Sequence, residues 1–101
     1  MQSLTSSQAK FLRGLAHNLK PVVFIGQKGI TTAVLQAIRE ALDVHELIKV
    51  RFIDLPDKHH RLDVVSEVRQ ATDSFLAGLI GHVAIFYRPQ PDLAKRKIVF
   101  K

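Results

Sequence analysis

The run Pro21-Val22-Val23-Phe24-Ile25-Gly26-Gln27-Lys28-Gly29-Ile30-Thr31 constrains the fold more than any other stretch, because it passes from strand to helix through a G-x-x-G turn. Val22 to Ile25 is an apolar run of strand size, and the proline that opens it has no ladder donor to lose there. Its unbroken apolar character predicts a strand covered on both faces. Thr31 is an N-cap candidate, Ile30 and Leu35 are spaced as a hydrophobic staple, and Val34, Ala37, Ile38, Ala41 and Leu42 continue one helical face. In Leu47 to Ile53, Ile48, Val50 and Phe52 alternate with Lys49 and Arg51, the pattern of a strand with one apolar and one partly basic face. A strand, a helix and a strand in succession close through a right-handed crossover, so these two strands should be parallel.

The remaining elements fit around this unit. Thr5 and Gln8 form a capping-box pattern, and Leu12, Leu15, Ala16 and Leu19 recur at helical spacing, predicting a first helix from Ser6 to about Asn18. Asp57 caps a third helical face through Leu62, Val65, Val68 and Ala71, ending near Thr72. Phe75 to Ile80 and Val83 to Arg88 are strands separated by Gly81-His82, a pair suited to a II′ hairpin. Pro89-Gln90-Pro91 ends the compact region, and the basic tail 90–101 either adds an edge strand through Ile98-Val99-Phe100 or stays mobile. The expected fold class is α/β in the order α-β-α-β-α-β-β, a small mixed four-stranded sheet packed with helices.

A chain of 101 residues makes one domain, 1–101, which buries roughly 60–70% of its unfolded surface. It has no cysteine, which removes disulfide frameworks, thiolate zinc sites and cysteine nucleophiles. The apolar runs are strand-sized and the amino terminus lacks a signal-peptide layout, so the expectation is a cytoplasmic protein with no membrane association. Charge is polarised along the chain: residues 1–30 carry +4, residues 31–82 carry −2 and residues 83–101 carry +4. A surface of that kind steers toward a polyanion.

Catalytic chemistry has no visible carrier. Gly26-Gln27-Lys28-Gly29 is too short for a P-loop and lacks the Lys-Ser/Thr pair after its second glycine. His17, His45, His59, His60 and His82 have no metal-ligand spacing, and no serine sits in G-x-S-x-G. No metal or cofactor is expected. The glycine turn suits another task, because Gly26 and Gly29 let backbone approach a ligand without Cβ atoms and the helix start behind Thr31 presents free N–H groups to a phosphate. Lys28 adds charge at the tip. Lys10, Arg13, His17 and Lys20 recur at helical steps as a basic stripe that extends the footprint, with Lys49 and Arg51 as a second tier. The candidate stacking aromatics are Tyr87 and Phe24.

Four blocks of sequence carry a resemblance: Ala16-His17-Asn18-Leu19-Lys20-Pro21-Val22-Val23, the Ile25-to-Thr31 loop, His45-Glu46-Leu47-Ile48-Lys49-Val50 and Phe86-Tyr87-Arg88-Pro89. Over nearly the whole chain it resembles the CRM domain, named for chloroplast RNA splicing and ribosome maturation, in its free-standing bacterial YhbY type. The resemblance implies a fold similar to the C-terminal domain of translation initiation factor three. It also implies RNA binding through Gly26, Gln27, Lys28 and Gly29 and the adjacent basic surface, and association with precursors of the large ribosomal subunit. The expectation is therefore a non-catalytic RNA-binding factor in ribosome assembly, whose partner is ribosomal RNA and which has no small-molecule substrate. The alternative is a protein-interaction module that docks on a ribosomal protein or assembly factor through the apolar hairpin.

Overall fold

A computed structural model describes residues 3–100. Its elements are α1 (Ser6–Ala16), β1 (Val23–Ile25), α2 (Thr32–His45), β2 (Leu47–Phe52), α3 (Lys58–Thr72), β3 (Phe75–Ile80) and β4 (Val83–Tyr87), followed by a 3-10 turn at Leu93–Lys95. The strands form one mixed sheet in the order β1-β2-β4-β3. β1 lies parallel to β2, and the other two pairings are antiparallel. This is the expected α/β architecture, with the crossover through α2. Among the described residues no helix is long and apolar enough to cross a membrane.

The helix starts follow from their caps. Thr5 and Gln8 form a full capping box, Thr31 accepts from the Val34 N–H, and Asp57 accepts from the His59 N–H. α1 ends at Ala16 rather than Asn18, with His17 as C-cap. Pro21 disfavours helical backbone at Lys20, and the chain leaves the helix through a turn in which the Leu19 N–H donates to the Ala16 carbonyl at 3.0 Å. Gly81 alone of the hairpin pair has positive φ, at 57°, the requirement of a II′ turn.

The period of two along the strands sorts side chains to two unequal faces. On one face Val23, Ile25, Ile48, Val50, Phe52, Ala84 and Phe86 form a core with Ile38 and Leu42 of α2 and Val64, Val65 and Val68 of α3. On the other, α1 alone supplies Leu12 and Ala16 to a smaller core with Leu47, Ala77, Ile85 and Tyr87. Two helices cover the first face and one covers the second. β1 is an edge strand by the order of the sheet, its Phe24 on the thinly covered face is 52% exposed, and the expectation of cover on both faces fails for it. An apolar run does not reveal that only one side of its strand has a helix to pack against.

The tail adds no strand to the sheet. It folds across the α1 face instead, where Phe100 packs edge-on against Tyr87 with ring centroids 5.7 Å apart and against Phe11 at 5.8 Å. Its anchor is Glu46, fully buried and at φ 61°. Glu46 Oε2 accepts from the Gln90 N–H at 2.9 Å, and Oε1 accepts from the N–H groups of Lys97 and Ile98 at 2.6 and 3.3 Å. Burial pushes the Tyr87 phenol above its ordinary pKa, and the Glu46 carboxylate adds to that rise while Arg96 opposes it.

Candidate nucleic-acid interface

The turn after β1 is closed by the Gly29 N–H donating to the Gly26 carbonyl at 2.9 Å, which puts Gln27 and Lys28 at the exposed tip. The two glycines have different tasks. Gly29 is buried and sits at φ 69°, a backbone conformation that favours glycine and strains any other residue. Gly26 has no positive φ and a Cβ on it would meet nothing within 4 Å. The fold makes no demand for glycine at position 26; the missing side chain leaves backbone open to whatever approaches. Behind the turn, Thr31 caps α2, and the N–H groups of the first helical turn that its hydroxyl does not reach face outward as orphan donors.

Gly26, Gln27, Lys28, Gly29 and Thr31 line a shallow hollow with Val34, Ile53 and Asp54. Asp54, at φ 59°, brings a carboxylate to that rim. Arg61 holds the segment behind it, donating from Nη1 to the Leu55 and Pro56 carbonyls at 2.7 Å each.

Beside the turn lies the part of the sheet that α1 does not cover. The register sets Phe24, Arg51, Val83 and Ile80 in one row across all four strands. Phe24, Arg51 and Ile80 are exposed and Val83 is half-buried. The four strands contain no carboxylate, and their only charged side chains are Lys49 and Arg51, both on this face.

The expected site residues separate into groups. Gly26, Gln27, Lys28, Gly29, Thr31 and Arg51 come together at one end of the sheet. Lys49 is half-buried, with Nζ donating to the His17 carbonyl at 3.3 Å, where its charge complements the C-terminus of α1. Arg13 is held in the fold: Nη1 donates to the Ala77 carbonyl at 2.9 Å and its stem lies over Gly78, where a Cβ would come within 2.7 Å of Cδ. The basic stripe is therefore not continuous. Lys10 and His17 are exposed on α1, Arg13 is turned onto β3, and Lys20 is exposed in the linker beyond the helix end. The first turns of α1 lie beside Phe75 and Leu76, at the Leu47 end of β2, whereas the glycine turn follows the Phe52 end. That strand length, about 16 Å at about 3.3 Å per residue, separates the region of Lys10 from the turn. Of the two candidate aromatics, Tyr87 is buried and Phe24 is the exposed one.

Arg88 is occupied too. It forms an ion pair with Asp43 and donates to the Thr72 and Arg39 carbonyls, tying α2 to α3. Among the described residues no group of three or more His, Asp or Glu side chains is placed to hold a metal ion. Ile80 and Asp54 are the site's neighbours that the sequence pattern did not mark. Phe24 was a candidate from the sequence, and its pairing with Arg51 places it beside the basic side of β2.

A capped helix fed by an edge strand through a G-x-x-G turn, on a sheet in the order β1-β2-β4-β3, defines a small α/β domain of the glycine-loop kind. The model of the CRS1/YhbY (CRM) domain matches residues 4–88, and the chain belongs to that family. A Haemophilus influenzae protein named "RNA-binding protein" is 38% identical over 92 residues, which span 91% of this chain and 92% of that one. A Pseudomonas aeruginosa protein named "Probable RNA-binding protein PA4753" is 36% identical, over 88% of this chain and 85% of its own. The solution structure of a hypothetical protein from Staphylococcus aureus superposes with a TM-score of 0.80 at 30% identity, covering 95% of this chain and 99% of that one.

Proposed function

We propose that this protein binds RNA without catalysing a reaction, that it does so through the Gly26–Gly29 turn and the adjoining cationic sheet face, and that its target is ribosomal RNA in precursors of the large subunit. The observation that carries the reading is the side-chain-free, exposed backbone at Gly26, set against a capped helix N-terminus and flanked by Lys28 and Arg51. The names of its relatives support the RNA, and the resemblance to free-standing bacterial members supports the large-subunit target. Gly26 and Gly29 admit the phosphates, Lys28 and Arg51 supply charge, and Lys10, His17 and Lys20 serve a longer RNA that reaches over α1.

Sedimentation of cell extract through sucrose gradients tests the target. The protein should travel with immature large subunits at low salt and leave them as salt rises, because phosphate contacts weaken through counterion release. Exclusive appearance at the top of the gradient, even at low salt and after crosslinking, contradicts the ribosomal assignment. Incubation of the pure protein with labelled RNA and divalent metal should leave the RNA intact; cleavage would overturn the non-catalytic reading.

A further inference from the structure

Phe24 is an exposed aromatic ring in the middle of β1, two residues before the glycine turn, and its direct partner on β2 is Arg51. Neighbouring strands run about 4.8 Å apart, so the ring and the stem of the guanidinium side chain rise from the same face side by side. The row continues through Val83 to Ile80, which is 62% exposed. No carboxylate of the sheet lies on this surface. A protein partner of ordinary composition finds apolar area here, but the only charge across the row is positive and the row abuts the turn whose backbone at Gly26 is open. The combination of a π-face, a cation and a side-chain-free backbone at a helix N-terminus fits one ligand chemistry, an unpaired nucleotide.

Resting on the RNA-binding reading above, we propose that Phe24 and Arg51 form a stacking platform that receives an unstacked base of a single-stranded RNA segment while the Gly26–Gly29 turn holds the backbone next to it. The site thereby selects single-stranded or bulged RNA over continuous duplex, whose bases are already stacked on each other. It has little sequence preference, since every base offers a π-face.

The chain contains no tryptophan, so Phe24→Trp introduces a single reporter at the platform. Titration of that variant with an unstructured oligoribonucleotide should quench the indole emission, and a duplex of equal length should leave it nearly unchanged. Phe24→Ala should weaken single-strand binding about tenfold or more while leaving the slope of log K against log salt unaltered, because it removes stacking and no charge. Phe24→Leu should weaken it similarly, since apolar bulk is kept and the π-face is lost, and Phe24→Tyr should bind as the parent does. Unchanged affinity for Phe24→Leu and Phe24→Ala together with an unresponsive indole overturns the platform and leaves RNA binding at the turn standing. Equal quenching by duplex overturns base stacking, and loss of a protein partner with RNA affinity intact reassigns the patch to protein docking. A parent protein that binds no RNA removes both readings at once.

Discussion

The two faces of the sheet are built from the same four strands and differ in what covers them. α2 and α3 close one face over Ile48, Val50, Phe52 and Phe86, whereas α1, only eleven residues long, closes part of the other and leaves Phe24, Arg51 and Ile80 in solvent. In β2 the alternation states this division residue by residue, with Lys49 and Arg51 interleaved among the apolar positions. The closed face supplies stability. The open one adjoins the glycine turn and can serve a ligand, and substitutions should separate the two roles.

Phe86, fully buried on the closed face, should cost about 3–5 kcal/mol when changed to Ala, read by denaturant unfolding. Ile80→Ala on the open face should change stability by less than about 0.5 kcal/mol. Comparable losses at the two positions would break the division. Glu46→Ala comes next, at about 2–3 kcal/mol, because it leaves three backbone N–H groups of the tail without their acceptor. Tail amides from Gln90 to Ile98 should then lose protection from hydrogen exchange while those of β2 keep theirs; unchanged tail protection would show that Glu46 is not the anchor.

The open face should respond through charge. Lys28→Gln with Arg51→Gln should reduce the slope of log K against log salt for single-stranded RNA by about 1.4, at about 0.7 for each phosphate that is no longer neutralised. Arg13→Gln should leave the slope unchanged and lower stability, since that side chain holds β3. Asp54→Asn has the smallest effect and the opposite sign: removing the carboxylate at the rim should tighten RNA binding a few-fold, and asparagine tolerates the positive φ of 59° there. Weaker binding by a folded Asp54→Asn would mean that this carboxylate contacts the ligand favourably.

Local patterns made most of the fold legible. The Thr5–Gln8 capping box, the Thr31 and Asp57 caps, the alternation in β2 and the Gly81-His82 turn each depend on residues a few positions apart, and each is realised. What escaped depends on partners far along the chain. Arg13 matches the periodicity of a basic stripe, yet it meets the Ala77 carbonyl 64 positions away. Glu46 lies in an ordinary helix-to-strand junction, and its partners lie from 44 to 52 positions on. The exposure of Phe24 follows from the limited reach of α1 over the sheet, a property of packing that no window around β1 contains. In the candidate site the turn and its tip were readable from the two glycines, while the different tasks of Gly26 and Gly29 appear only in their backbone angles.

That difference makes Gly26 the most direct probe of the proposed RNA site. A side chain at this position enters open space and needs no unusual φ, so Gly26→Asp should keep the parent's circular dichroism and unfolding midpoint while placing bulk and negative charge where a phosphate would approach α2. Its affinity for single-stranded RNA, measured beside Gly26→Ala at one fixed salt concentration, should fall about tenfold or more, with the alanine variant between it and the parent. Parent-like affinity in a natively folded Gly26→Asp would contradict the proposal that this turn holds the nucleic-acid backbone.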